Sequence, residues 1–167
     1  RNRWERAMRR NQYTEYAVER FGKDILKSKG MQAAKAYRQH GAVSVYEHSV
    51  TVAKMCVMLA ILFKVHVNVR SLVRGALLHD YFLYDWHKSD QGHRLHAFFH
   101  AERALQNATR DFFLNDIEKN MIQTHMFPLS FALPKYRESI ILCVADKICA
   151  AGETVLRRSD RGNCNSR

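Results

Sequence analysis

Residues 69–80 read VRSLVRGALLHD, a segment with the pattern of a buried helix that ends on two ionisable side chains. Its apolar residues recur at the 3.6-residue period of a helix that buries one face: Leu72, Val73, Ala76 and Leu77. Asn68, just before the segment, is a typical helix N-cap, so we expect the helix to begin there. His79 and Asp80 then close the apolar stripe. The pattern predicts a helical core with a polar site inside it.

The same helical period recurs on both sides of this segment. It predicts further helices over residues 45–63, 96–112, 116–126 and 135–156. Asn115 is the candidate N-cap of the third of these helices. Residues 81–95 are predicted to form a long loop, and Pro128 and Pro134 bracket another connection. No segment alternates apolar and polar residues as a half-buried strand would, so we expect an all-α fold.

The two ends of the chain differ from its middle. Residues 1–40 are expected to form an N-terminal extension of short, charged helices broken at Gly22 and Gly30. Residues 41–156 hold the apolar helical segments, and residues 157–167 are expected to be a frayed basic tail. A length of 167 residues and a hydrophobic content of 47% suit one ordinary domain. The prediction is a single-domain helical bundle with an extension at each end.

The chain carries a formal net charge of +11, which favours anionic partners. The excess is concentrated in residues 1–10 and 157–167. Charge concentrated at the ends is more typical of solvated helices and tails than of a nucleic-acid surface. The basic charge is therefore compatible with a phosphorylated substrate without requiring one, and a nucleic-acid partner is not expected.

Cysteine usage and hydropathy bear on the compartment. None of the four cysteines has C-x-x-C spacing, and Cys56 and Cys143 lie in apolar runs, where a cysteine is usually a small buried hydrophobe. No apolar run approaches the roughly 18 residues needed to cross a membrane, and no signal-peptide pattern opens the sequence. These features predict a cytoplasmic protein without a membrane partner.

Ionisable residues recur on the apolar stripes of five successive helices. All six are of metal-ligand type: His48, His79, Asp80, His100, His125 and Asp146. Such a group on a buried stripe costs several kcal/mol unless it is paired or coordinates a metal. One buried histidine is usually a satisfied core residue, but six ligand-type groups facing one core indicate a metal site. Four imidazoles and two carboxylates suit Fe, Mn, Co or Zn.

At these residues the sequence resembles the HD-domain superfamily of metal-dependent phosphohydrolases. Three segments carry the resemblance: Tyr46-Glu47-His48-Ser49, Leu77-Leu78-His79-Asp80 and Val144-Ala145-Asp146-Lys147. His100 and His125 match the additional histidines of the dinuclear branch, in the order H…HD…H…H…D. The resemblance covers about residues 40–155 and implies an all-helical bundle of the HD-domain type.

The resemblance also implies a role for each position. A first divalent metal would be held by three residues: His48, His79 and Asp146. A second metal would be held by His100 and His125, and Asp80 would bridge the two metals as a catalytic residue. Iron or manganese is the expected metal. Many relatives place a lysine three residues after the HD aspartate, where this chain has Leu83, so no lysine general acid is carried over.

Two such metals would activate a hydroxide nucleophile and polarise a phosphoryl oxygen, so the implied enzyme is a metal-dependent phosphohydrolase. Its expected substrate is a phosphate ester or anhydride of a small, nucleotide-like metabolite. Phosphate binding needs further polar groups near the metals. The candidates are Lys147 beside Asp146, Arg94 in the predicted loop, and Gln39 and His40 just before the first core helix.

Two other functions stay open at this point. Some dinuclear relatives with the same ligand order use mixed-valent iron and dioxygen to oxidise a C–H bond, and the spacing does not separate them from hydrolases. A non-catalytic ligand-binding HD domain is the third possibility, although all six ligand types are present. The basic composition favours the hydrolase.

Overall fold

The computed structural model describes the backbone of residues 3–40, 43–81 and 93–164, and the side chains of residues 5–38, 43–81 and 99–154. Within these residues the chain is helical apart from one short two-stranded ribbon and the connections. The helices are α1 Arg3–Leu26, α2 Lys29–Ala33, α3 Val45–Leu62, α4 Val69–Leu78, α5 His93–Asp111, α6 Asp116–Thr124 and α7 Arg137–Cys164. A short 3₁₀ helix, Ala34–Ala36, follows α2. The predicted all-α class is confirmed.

Helices α3 and α4 form the centre of the fold. Helix α1 packs across both of them, α7 packs along α3, and α6 joins α4 to α7. Helix α5 lies against α6. Fully buried apolar side chains fill the space between these helices: Val52, Cys56, Leu72, Leu77, Met121 and Leu142. The helices with ligand-type residues therefore surround one core.

Side-chain caps fix where three core helices begin. Ser44 caps α3 in a capping box with Glu47. Asn68 caps α4, and Asn115 caps α6 in a second capping box; both are the residues predicted from the sequence. A cap fixes the residue at which its helix begins, and the helical period then fixes which later side chains lie on the same face.

The prediction that Gly22 and Gly30 break the N-terminal helices is wrong. Helix α1 runs through Gly22 without a break. This glycine lets α1 approach α4, because a Cβ atom there would clash with Leu77 Cδ1. Gly30 lies inside α2, where a Cβ atom would clash with the hydroxyl group of Tyr81. The chain instead turns before Ser28, whose side chain caps α2.

Two features between the helices also differ from the prediction. Strands β1 Arg38–His40 and β2 Val43–Ser44 form an antiparallel ribbon, although no strand was expected. The ribbon is too short to give an alternating sequence pattern. Helix α5 begins at His93, inside the loop predicted for residues 81–95, and residues 82–92 lie outside the described part of the chain.

The last helix is longer than predicted. Helix α7 continues to Cys164, so the frayed tail expected from residue 157 is wrong as far as Cys164. The sequence between Leu156 and Gly162 contains no proline or glycine, and its residues are compatible with a continued helix.

Helix α3 corrects a further expectation. By length and composition alone it is long and apolar enough to cross a membrane, although no such run was predicted. Its polar residues, such as Glu47, His48 and Lys54, interrupt the apolar run without making the helix polar on average. In this fold α3 packs against α1, α4 and α7, with Val52 and Ala53 fully buried.

Candidate metal centre

Four of the six ligand-type residues lie at or next to the end of a helix, and their side chains are buried in the core. His48 is the fourth residue of α3, and its side chain is fully buried. His79 and His125 occupy the C-terminal caps of α4 and α6, and Asp80 follows directly after His79. Because α4 and α6 pack together, their C-terminal ends bring the residues from both helices to one place.

The first ligand group consists of His48, His79, Asp80 and Asp146, whose ligand atoms all lie within 4.8 Å of one another. On α7, Asp146 Oδ1 lies 3.0 Å from His48 Nε2 and 3.5 Å from His79 Nε2. Asp80 Oδ2 lies 3.2 Å from His79 Nε2 and 3.8 Å from His48 Nε2. Two imidazoles and two carboxylates therefore surround one small volume.

The second ligand group consists of Asp80, His100 and His125, again with ligand atoms within 4.8 Å of one another. Asp80 Oδ1 lies 2.8 Å from His100 Nε2, on α5, and 3.3 Å from His125 Nε2. Asp80 is thus common to both groups, with one carboxylate oxygen directed to each. The structure brings together all six side chains that were predicted as metal ligands.

Burial and hydrogen bonding show that this cluster fits a metal. Five of its six residues are buried, and the Asp146 side chain is only 16% exposed. Among the described residues, Nε2 of His79 and Nε2 of His125 are buried without a hydrogen-bond partner, although both lie near Asp80. A buried nitrogen left in this way is costly unless its lone pair binds something else. A metal ion would use both lone pairs.

The surrounding imidazoles keep both carboxylates ionised. Burial alone would raise the pKa of Asp80, but the charge of His79 and a hydrogen bond from His100 hold that pKa well below its usual value. Burial would likewise raise the pKa of Asp146, but a hydrogen bond from His48 and the nearby charge of His79 lower it. An ionised carboxylate is the form that binds a metal.

The histidines respond to the same charges in different degrees. Burial lowers the pKa of His125. Burial also acts to lower the pKa of His48, but hydrogen bonds to two carboxylates of α7 outweigh it and raise the pKa to about 9. For His79, burial acts in the same downward direction, but the carboxylates of Asp80 and Asp146 together outweigh it and raise the pKa well above its usual value. A metal and a proton would compete for these nitrogens.

Backbone carbonyl groups orient two of the histidines. His79 Nδ1 donates to Ala76 O at 2.7 Å, and His125 Nδ1 donates to Ile122 O at 2.7 Å. Both acceptors lie in the last turn of a helix, where carbonyl groups lack partners within the helix. These bonds place the proton on Nδ1 and leave Nε2 for the cluster.

Glu153, which was not among the residues predicted from the sequence, contacts His48. Its carboxylate lies 3.0 Å from His48 Nδ1, on the side of the ring opposite to Asp146. Glu153 follows Asp146 by seven residues on α7, which is close to two helical turns. That spacing is the available signal, since it places a second carboxylate on the same face as a predicted ligand.

Of the predicted substrate-binding residues, the side chain of Lys147 is described. Lys147 Nζ donates to Cys143 O at 3.2 Å and lies 3.5 Å from His125 O, so the ammonium group lies beside the backbone of one ligand residue. The side chains of Arg94, Gln39 and His40 lie outside the described residues, although their backbones belong to α5 and β1. Substrate binding by all four stays a prediction.

The comparisons with known proteins agree with this geometry. A family model of the HD domain matches residues 45–151, which include both ligand groups. Neither a curated protein nor a solved structure matches the chain significantly. The family model covers well over half of the sequence. This chain therefore belongs to the HD domain family.

Proposed function

We propose that this protein is a metal-dependent phosphohydrolase that acts on a phosphate ester or anhydride of a small, nucleotide-like metabolite. The position of Asp80 carries the proposal. One of its carboxylate oxygens faces the first ligand group and the other faces the second. A carboxylate placed in this way can bridge two cations, as in other two-metal phosphoryl-transfer sites.

The donor sets suit first-row transition metals, and we propose iron or manganese. His48, His79 and Asp146 would hold one ion. His100 and His125 would hold the other, with Asp80 shared. When bound, two such ions supply a hydroxide nucleophile at neutral pH and a Lewis acid for the phosphoryl oxygen.

The charge of the donor set supports an anionic substrate. Neutral imidazoles and two carboxylates offset only part of the charge that two divalent ions bring. With the ions bound, the remaining positive charge would lie in a mostly buried site, where it would attract a phosphate group more strongly than in water. The ammonium group of Lys147, beside the His125 backbone, adds a further cation nearby.

We also propose that the protein acts in the cytoplasm on a small molecule, without a nucleic-acid or membrane partner. Within the described residues, Cys56, Cys143 and Cys149 are free and buried, which supports a reducing compartment. The concentration of basic residues at the ends of the chain supports a small substrate over a nucleic acid.

The test is an anaerobic assay of phosphate release. Protein reconstituted with Mn²⁺ or ferrous iron is incubated with a panel of nucleotides, dinucleotides and sugar phosphates. We expect release that stops with a chelator and returns with added metal. Asp80→Asn, which keeps the size of the bridging group, should abolish release. Asp116→Asn, at an exposed aspartate in the first turn of α6, should leave it unchanged.

Two results would contradict the proposal. No phosphate release from any compound, together with oxygen consumption on an organic substrate in air, would indicate the oxygenase. Metal binding without either reaction would indicate a non-catalytic HD domain.

A further inference from the structure

We propose that Glu153 is a positioning residue of the metal centre, which orients and polarises His48 so that the first ligand group binds its metal more tightly. The inference rests on the metal centre of the proposed function. It concerns a residue outside the six predicted ligands, and it predicts that the two metal positions differ in affinity.

Two carboxylates of one helix hold the His48 ring between them. Glu153 Oε1 and Oε2 lie 3.0 and 3.1 Å from His48 Nδ1. Asp146 Oδ1 lies 3.0 Å from His48 Nε2, on the other side of the ring. The His48 side chain is fully buried, and the Glu153 side chain is only 10% exposed. The contact is therefore a shielded, charge-assisted hydrogen bond.

The place of His48 in its helix explains why it needs a partner from another helix. His79 and His125 lie at helix C-terminal caps, where Nδ1 reaches a carbonyl group of the last turn. His48 lies in the first turn after the Ser44 cap. Carbonyl groups in a first turn accept hydrogen bonds from the residues four positions later. The Nδ1–H group of His48 instead contacts the carboxylate of Glu153 on α7.

A carboxylate acceptor has two effects on a metal-binding imidazole. It fixes the proton on Nδ1, so that Nε2 faces the ligand group, and it makes Nε2 a stronger donor to the metal. In the second ligand group, Nδ1 of His125 donates to a neutral backbone carbonyl group and not to a carboxylate. The negative charge of Glu153 therefore acts chiefly on the first ligand group.

The experiment measures Mn²⁺ binding to metal-free protein by titration calorimetry, together with bound metal per chain. Glu153→Gln keeps an acceptor oxygen without the charge, and Glu153→Ala removes both. We expect the affinity of one Mn²⁺ to fall about tenfold in Glu153→Gln and up to about 100-fold in Glu153→Ala, with the other unchanged. Glu102→Gln on α5, where Glu102 accepts a hydrogen bond from Gln106, is the matched control and should bind as wild type.

A double-mutant cycle assigns the effect to His48. In a His125→Ala background, which keeps the first ligand group, Glu153→Gln should still weaken the remaining metal about tenfold. In a His48→Ala background it should have no further effect. Circular dichroism checks the fold, and Glu153→Gln decides the question if Glu153→Ala does not fold, because it preserves side-chain size.

The inference would be overturned if Glu153→Gln bound both Mn²⁺ ions with wild-type affinity, or if the affinity for both ions fell equally. An effect of Glu153→Gln that persists in the His48→Ala background would also overturn it. Failure of the proposed phosphohydrolase activity can be distinguished from failure of the Glu153 effect. Wild-type protein that binds two Mn²⁺ but releases no phosphate contradicts the reaction and leaves the Glu153 effect measurable. Wild-type protein that binds no Mn²⁺ overturns both.

Discussion

Gly75 of α4 lies against Met121 of α6, and each residue stands four positions before a histidine of the metal centre. A Cβ atom on Gly75 would lie 2.5 Å from Met121 Sδ and 3.0 Å from Met121 Cβ. Four residues make about one helical turn, so His79 and His125 project one turn beyond this contact. Their ring centroids are 5.1 Å apart. The close approach of the two helices thus joins the two ligand groups.

We expect Gly75→Ala to lower the free energy of unfolding by about 1–2 kcal/mol. The added methyl group overpacks the contact with Met121, and this cost exceeds the gain in helix propensity. Gly152→Ala on α7 is the control, because a Cβ atom there meets nothing within 4 Å, and it should stabilise the protein by up to about 1 kcal/mol. Urea unfolding of the metal-free proteins measures both changes. Stabilisation by both substitutions would mean that the α4–α6 contact is not tight.

Asp80→Ala should remove metal from both positions. The reason is that each Asp80 oxygen faces a different ligand group. Elemental analysis of reconstituted protein should find close to two metals per chain in wild type, and far fewer in the variant. A variant that retains one full metal would show that Asp80 is not shared.

His125→Ala should remove only the second metal, lowering the content by about one per chain and reducing turnover. His125 contributes to the second ligand group, while His48, His79 and Asp146 remain in place. His100→Ala should behave in the same way. Circular dichroism should show an intact fold for both variants. Unchanged metal stoichiometry in both would make these histidines structural.

The six ligand-type residues could be predicted because each stands out among the apolar residues near it in the sequence. His48 lies on a stripe of apolar residues that includes Val45 and Val52, where an ionisable group needs a special reason. The caps Asn68 and Asn115 could be predicted for a similar reason, since a cap acts on the backbone of its own helix. These features depend on residues a few positions apart.

Features that depend on distant residues could not be predicted. The contact between Glu153 and His48 joins residues 105 positions apart, so the sequence shows only that Glu153 shares a helix face with Asp146. Gly22 was misjudged because a glycine that ends a helix and one that lets two helices approach have the same sequence pattern. Its contact with Leu77 exists only in the folded chain.

Metal should also stabilise the folded chain. The unfolded chain does not hold the six ligands together, so a metal binds the folded state preferentially. At a free concentration of about 100 times Kd, one bound ion adds about 2.7 kcal/mol to the free energy of unfolding. Urea unfolding with Mn²⁺ and with a chelator measures the difference. Asp80→Ala should lose most of this metal-dependent stabilisation, and an equal response in wild type and variant would mean that Mn²⁺ binds elsewhere.

Lys147→Ala should weaken substrate binding more than it slows the reaction. The ammonium group lies 3.5 Å from His125 O and 3.2 Å from Cys143 O, beside the backbone of a ligand residue but outside both ligand groups. Its charge can therefore attract a phosphate group without taking part in metal binding.

In Lys147→Ala we expect KM to rise about tenfold, equivalent to about 1.4 kcal/mol, with kcat changed little. Lys23→Ala, at an exposed lysine in the last turn of α1, is the control and should leave KM unchanged. Steady-state kinetics on the best phosphorylated substrate at two salt concentrations measures the effect, which should shrink at high salt because an exposed charge is screened. A fall in kcat at constant KM would place Lys147 in the chemical step, and an unchanged KM would exclude it from substrate binding.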